Sequence, residues 1–364
     1  MKLNKFFLLG LVSLAFAACS SDEDVADIQG GEKQSVVLKI NTDQPGNRAL
    51  GQAMNEGKIT LKDVTIFYAD DNGNIAQFTK LNSESPDWNK LTTNGYVEHN
   101  LPAAIKQVYV VGNTAQFNLS QMSSKQKLEE FAFGASTQAD ANNVLLYGFD
   151  TALEKLKDIT DDQGHRNVFK ADLTINPLVS RIEISGIKCN DLGNQYSSID
   201  LKALGLMNVW NKVTIGGTPS ENLTLDNVLE PGTALQEDKF VFGTAPHTWA
   251  WETITATLDN KDAVYPAKGV YAYNFIAKKE TDMQVKLYLA AKKGDAVNPI
   301  NNTITAAFPQ LSKEEGFMPG KIYKLTLEFT ESNIGPWDPS QTQCIQVNVT
   351  VADWVVETLK PQYQ

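Results

Sequence analysis

Three places along the chain hold residues whose types and spacing could do chemistry. Cys19 directly follows Phe16-Ala17-Ala18, at the end of an apolar run from Phe6 to Ala18 that Lys2 and Lys5 precede. A basic start, a short apolar stretch and small residues before a cut make a secretory signal peptide, and a cysteine at that cut is placed for acylation as the first mature residue. Arg48-Ala49 follows Gln44-Pro45-Gly46-Asn47; Pro-Gly-Asn is turn chemistry, which puts this bond in an exposed loop open to proteolysis. Trp249 and Trp251 share one face of a strand, an arrangement that can stack on a sugar, although a core or interface role accounts for them better.

Other chemistries lack their residues. There is no G-x-S-x-G elbow, no H-E-x-x-H, no phosphate-binding Gly-rich loop and no C-x-x-C. His99, His165 and His247 are scattered and read as surface or loop residues rather than catalysts. Asp70, Asn72 and Asn74 alternate like calcium ligands, but Gly73 is misplaced and the closing Glu is missing, so a hairpin turn explains them better. The reading is of a protein with no metal, no cofactor and no catalytic role.

Composition agrees. The 364 residues carry 32 Lys+Arg against 43 Asp+Glu, a formal net charge of −11, which disfavours a nucleic-acid partner. With 42% hydrophobic and 21% charged residues there is ample core material. No apolar run reaches the roughly 20 residues a membrane-spanning helix needs.

The elements that position these residues read as strands. Short apolar or alternating segments recur at Val64–Tyr68, Val108–Val111, Val168–Ile175, Ile182–Ile187, Phe240–Phe242, Tyr271–Ile276, Val285–Leu289 and Tyr323–Phe329. One helix is expected around Ser120–Phe131, with Met122, Leu128 and Phe131 facing inward. The fold class is all-β, as two tandem β-sandwiches with a minor helix in the first and a joint near Asn176-Pro177. The expected division is signal peptide 1–18, acidic tether 19–34, an N-terminal strand and loop 35–48, sandwiches 49–177 and 178–344, and a last strand 345–364.

Both end strands alternate. Val36, Leu38 and Ile40 form one face of the first. Ile345, Val347, Val349 and Val351 form one face of the last, which Trp354 extends; from Ile345 to Val356 it would reach about 40 Å. This stretch is β-prone and has no charge before Asp353, so it is an aggregation hazard unless paired. A last core strand of the second sandwich explains it equally well.

The start Met1–Gly10, then Ser35-Val36-Val37-Leu38-Lys39, then Asn47-Arg48-Ala49, and the ending Val347-Asn348-Val349-Thr350-Val351-Ala352-Asp353-Trp354 resemble the FimA-like fimbrillins, the type V pilins of Bacteroidetes. Tyr109–Thr114 and Gly320–Leu325 are similar more loosely. The acidic Ser20-Ser21-Asp22-Glu23-Asp24 resembles the signal that routes lipoproteins of that phylum to the outer face of the outer membrane.

The resemblance implies transthyretin-like Greek-key sandwiches and a lipoprotein precursor anchored in the outer membrane through Cys19. It implies an arginine-specific protease that cuts between Arg48 and Ala49. Val36, Leu38 and Ile40 are then a removable plug, and Ile345, Val347, Val349, Val351 and Trp354 a donor strand for another copy. The product is the stalk of a surface fimbria serving adhesion, with anchor and tip subunits as further partners. A non-polymerising anchor subunit and a surface glycan-binding lipoprotein are the alternatives. Cys189 and Cys344 could pair in an oxidising compartment; a strand that must swing out beyond Cys344 favours free thiols.

Overall fold

The computed structural model describes residues 33–41, 58–138, 140, 143–164, 166–207, 209–223, 241–242, 245–246, 251–276, 283–294, 296, 298–306, 308, 316–334, 346–353 and 355–358. The all-β expectation holds, and each half of the chain contributes a pair of sheets.

The first half begins with β1 (Lys33–Asn41), β2 (Lys58–Leu61), β3 (Asp63–Asp70) and β4 (Ile75–Asn82). It continues with β5 (Tyr96–Pro102), β6 (Ile105–Gly112), the short helix α1 (Lys125–Glu129), β7 (Ala132–Gly134) and β8 (Leu146–Asp150). β9 (Glu154–Lys155), β10 (Val168–Thr174) and β11 (Asn176–Pro177) complete it. One sheet runs β5-β1-β10-β9 and the other β11-β8-β6-β3-β4. Glu98 of the first sheet reaches the inner face of the second, where it accepts hydrogen bonds from Thr79 Oγ1 at 2.6 Å and Gln77 Nε2 at 3.1 Å.

The second half opens with β12 (Ser180–Cys189), β13 (Ser198–Met207), β14 (Val209–Thr214) and β15 (Pro219–Leu223). Then come β16 (Val241–Phe242), β17 (Ala245–Pro246), β18 (Trp251–Leu258), β19 (Tyr271–Phe275) and β20 (Gln284–Lys292). β21 (Ile300–Ala306), β22 (Lys321–Phe329), β23 (Gln346–Asp353) and β24 (Val355–Thr358) follow. Its sheets run β19-β12-β22-β23 and β18-β13-β20-β21. In each half the first strand pairs parallel to a late strand, β1 with β10 and β12 with β22. The two halves therefore share one plan, which no repeat in the residues announces.

Backbone pairing crosses the halves. β7 adds to β14 and β15 as a third strand, and β24 pairs in parallel with β2. A buried polar chain reinforces this contact. Arg181 Nε donates to Glu183 at 2.8 Å, Arg181 Nη1 donates to Asn274 Oδ1 at 3.3 Å, and Asn274 Nδ2 donates to the Gln138 carbonyl at 2.7 Å.

The expected helix is shorter than its apolar spacing suggests. Ser124 caps it, its Oγ accepting from Lys127 N at 3.2 Å. Upstream, the backbone is committed to the turn between β3 and β4: Ile75 N donates to Ser123 O and Lys125 N to Gly73 O. A helix cannot begin before those groups are released. Leu128 is buried as expected, with Met122 and Phe131 packed partly against the core. The Asp70–Asn74 segment is the hairpin turn read from the residues, closed by Gly73 N on Asp70 O and by Asn72 N and Asn74 N on the Asp70 carboxylate. Trp88 is 2% exposed and Trp210 packs partly against the core. Trp249 and the other candidate stacking side chains lie outside the described residues.

One carboxylate organises the end of the second half. Glu331, 1% exposed, accepts from the backbone N–H groups of Gly193, Asn194, Gln195 and Tyr196 at 2.6–3.1 Å. Such a nest of amides holds an anion as a helix N-terminus does. Glu331→Ala should lower stability by about 3 kcal/mol, the scale of losing charge-assisted hydrogen bonds in a buried setting, as a shift in the urea midpoint. Cys189 is buried beside Asp191, its thiol 3.6 Å from the carboxylate, and burial pushes it up to about 12. It should resist iodoacetamide at pH 8 in the folded protein and react in urea, as read by peptide mass spectrometry.

Candidate functional site

β1 is not an edge. It pairs in parallel with β10 from Ser35↔Val168 to Asn41↔Thr174, and antiparallel with β5 from Lys33↔Pro102 to Leu38↔Tyr96. Its alternation places residues 34, 36, 38 and 40 on one face. Gln34 is 1% exposed, Val36 and Leu38 are 0%, and Ile40 is 1%. Val36, Leu38 and Ile40 thus sit in the core, as their spacing predicts. Gly95 makes room on the other face, because a Cβ there would lie 2.6 Å from Val37 Cγ1 and its φ is +95°.

Polar groups hold β1 at both ends. Gln34 Nε2 donates to the buried Ile105 carbonyl at 2.7 Å, and Ser35 N donates to Asn167 O at 2.9 Å. The Ser35 hydroxyl donates to Asp161 and lies 3.4 Å from His99 Nδ1. At the far end Asn41 Nδ2 donates to Asp172 at 2.5 Å. Burial pushes the Asp172 carboxyl up, but bonds from Lys170 and Asn41 and the charges of Lys170 and Lys39 outweigh it and hold the group below its ordinary range. Two of those partners belong to β1.

Beneath β1, Glu98 also accepts from Tyr96 OH at 2.8 Å. Burial first, and the Glu98 charge second, raise the Tyr68 hydroxyl well above its ordinary value. Burial and the bond to Glu98 raise Tyr96 likewise. Both phenols stay neutral donors to the carboxylate.

Ser35, His99 and Asp161 have the residue types of a hydrolase triad but not its geometry. His99 Nδ1 is 2.9 Å from Asp161, and Nε2, the atom that would take a proton from a serine, faces Asp162 at 3.2 Å. Ser35 bonds the carboxylate instead. His99, Asp161 and Asp162 also bring one potential metal-ligand atom each within 4.8 Å of one another. His99 is therefore no loop residue: it lies on β5 with its side chain 20% exposed. The sequence signal for this contact was slight, because Asp161 is 62 positions from His99.

The C-terminal segment lies across both halves. β23 pairs antiparallel with β22 from Gln346↔Glu328 to Asp353↔Lys321, with Val347, Val349 and Val351 opposite Leu327, Leu325 and Tyr323. Among the described residues β22 is its one strand neighbour. β24 then pairs from Val355↔Lys58 to Thr358↔Leu61, and Ile59 and Leu61 of β2 are fully buried. Arg48 and Ala49, which fall between β1 and β2, lie outside the described residues; so do Cys19, His165, His247, Cys344, Ile345 and Trp354.

No family model matches the chain. A stretch of 68 residues is 44% identical to the major fimbrium subunit FimA type-2 of Porphyromonas gingivalis, and 43% identical to its type-3 counterpart. The match covers 18% of this chain and spans 17% of the length of those relatives. Solved structures match over far more. A putative cell adhesion protein of Bacteroides eggerthii aligns with 90% of this chain and 98% of its own, at TM-score 0.61 and 15% identity. A fimbrilin of Porphyromonas gingivalis aligns with 89% and 98%, at TM-score 0.52 and 12% identity. The chain has the all-β fold of the fimbrilins and putative cell adhesion proteins of Bacteroidetes.

Two outcomes test the β1 site. Val36→Asp with Leu38→Asp should lower the melting temperature by several degrees at least, since each change buries a charge where about 1.5–3 kcal/mol of apolar burial was gained; unchanged melting would count against a structural role. The depressed Asp172 favours docked β1 above its ordinary range, near pH 4, and that contribution is lost as pH falls through the depressed value. Asn41→Ala should therefore raise the Asp172 titration midpoint, measured by NMR.

Proposed function

We propose that this chain is the structural stalk subunit of a surface fimbria, polymerised by strand exchange. It is exported as an outer-membrane lipoprotein acylated at Cys19 and activated by an arginine-specific protease that cuts between Arg48 and Ala49. The observation that carries the reading is β1: a central strand, buried on one face, which in the sequence precedes the next described strand by residues 42–57, Arg48-Ala49 among them.

The energetics fit a switch. Val36, Leu38 and Ile40 contribute roughly 5–9 kcal/mol of apolar burial at about 1.5–3 kcal/mol each, comparable to the whole stability of a typical domain. Before cleavage β1 is tethered beside its groove at high effective concentration, so no second copy competes with it. After cleavage the tether is gone, and β1 can leave for good by dilution.

β23 has a ladder to gain. Among the described residues it has one, on β22, whereas the space between β5 and β10 offers two. Ile345, Val347, Val349 and Val351 supply the alternating apolar face, and Trp354 extends it. Each copy gives a strand at one end and accepts one at the other, a heterologous contact that builds an open filament. Further partners are anchor and tip subunits, and the fimbria serves adhesion. No step calls for a cofactor.

Digesting purified precursor with an arginine-specific protease should give a new terminus at Ala49 and a ladder of multimers on unheated denaturing gels. Arg48→Ala should abolish both, and deleting residues 345–364 should abolish only the ladder. Cleavage at Ala49 without multimers would favour a capping or anchoring role.

A further inference from the structure

We infer that the donor segment enters the β5–β10 groove in the direction of β1 and in one register, with residues 343–350 of a second copy replacing residues 34–41. This deepens the strand-exchange reading above and rests on it.

A second segment of the chain shares the leading Gln and the apolar alternation of the plug. Residues 34–41 read Gln-Ser-Val-Val-Leu-Lys-Ile-Asn, and residues 343–350 read Gln-Cys-Ile-Gln-Val-Asn-Val-Thr. Laid on one another, Ile345, Val347 and Val349 take the places of Val36, Leu38 and Ile40. The polar steps agree too. Val37 and Lys39 are half-buried and Asn41 is exposed, and Gln346, Asn348 and Thr350 fall there.

The first two positions decide the register. Gln34 is fully inside, yet polar, because its amide donates to the Ile105 carbonyl. An apolar replacement would remove that donor from a buried site, at a cost larger than the bond's net worth. Gln343 restores the same amide. Ser35 is fully buried, its hydroxyl against Asp161 and His99. Cys344 brings a small side chain with a weak donor of its own.

Other frames lose these matches. Sliding the donor so that Val347, Val349 and Val351 replace Val36, Leu38 and Ile40 puts Ile345 under the Ile105 carbonyl and the larger Gln346 in the tight Ser35 position. Reversing it, with Ile345 at Ile40 and Val349 at Val36, puts Val351 at the Gln34 position. Both keep the apolar face; neither keeps the amide. A side-chain period of two leaves such frames open on hydrophobicity alone, so the polar pair at the head of the strand selects among them.

Disulfide trapping separates the three. Asn41 lies opposite Thr174, Lys39 opposite Asp172 and Ser35 opposite Val168. In a Cys344→Ser background, cleaved Thr350→Cys/Thr174→Cys protein should form a ladder that survives boiling and collapses with reductant. Thr350→Cys with Asp172→Cys reads the slid frame, and Thr350→Cys with Val168→Cys the reversed one. A boiling-resistant ladder from either of those pairs, or from none of the three while unheated ladders persist, would overturn the register and leave strand exchange standing. Absence of unheated ladders from the cleaved parent protein would instead overturn strand exchange itself. Should the Thr174 variant fail to polymerise, Asn348→Cys with Asp172→Cys reads the same frame, and its failure to trap in multimers overturns the proposal equally.

Discussion

The first sandwich depends on one strand that is central in the sheet and peripheral in the chain. β1 supplies hydrogen bonds to two neighbours and three apolar side chains to the core. Here only the stretch between Asn41 and Lys58 joins β1 to the body that follows. Covalent continuity and non-covalent burial are thereby separable: a cut removes the first and leaves the second to equilibrium.

The second half shows the same plan without that vulnerability. β12 occupies the position of β1, between β19 and β22, and runs parallel to β22 as β1 runs parallel to β10. It follows β11 after two residues and leads on to β13, so no single loop frees it. The amides of the loop after it also grip Glu331, which precedes the last strand in the chain.

Polar groups refine what apolar burial alone would leave loose. Gln34, Ser35 and Asn41 mark the two ends of β1 with bonds to Ile105, Asp161 and Asp172. A buried donor or acceptor without a partner costs more than a well-made bond gains, so these groups act chiefly by penalising the wrong register.

Much of this was legible in the residues. Alternation at Val36, Leu38 and Ile40 foretold their burial, and Asp70 to Asn74 foretold a hairpin, because both depend on neighbours a few positions away. The apolar spacing over Ser120–Phe131 suggested a longer helix than α1, since it could not show that the Gly73 turn claims the backbone of Ser123 and Lys125. The sequence by itself determined that Val36, Leu38 and Ile40 face inward and that the chain turns at Asp70 to Asn74. Only the tertiary structure decided that β1 lies between β5 and β10, that His99 meets Asp161, and that β24 meets β2. The reason is that side-chain periodicity specifies a face, while strand order is written in backbone hydrogen bonds that every residue but proline can make.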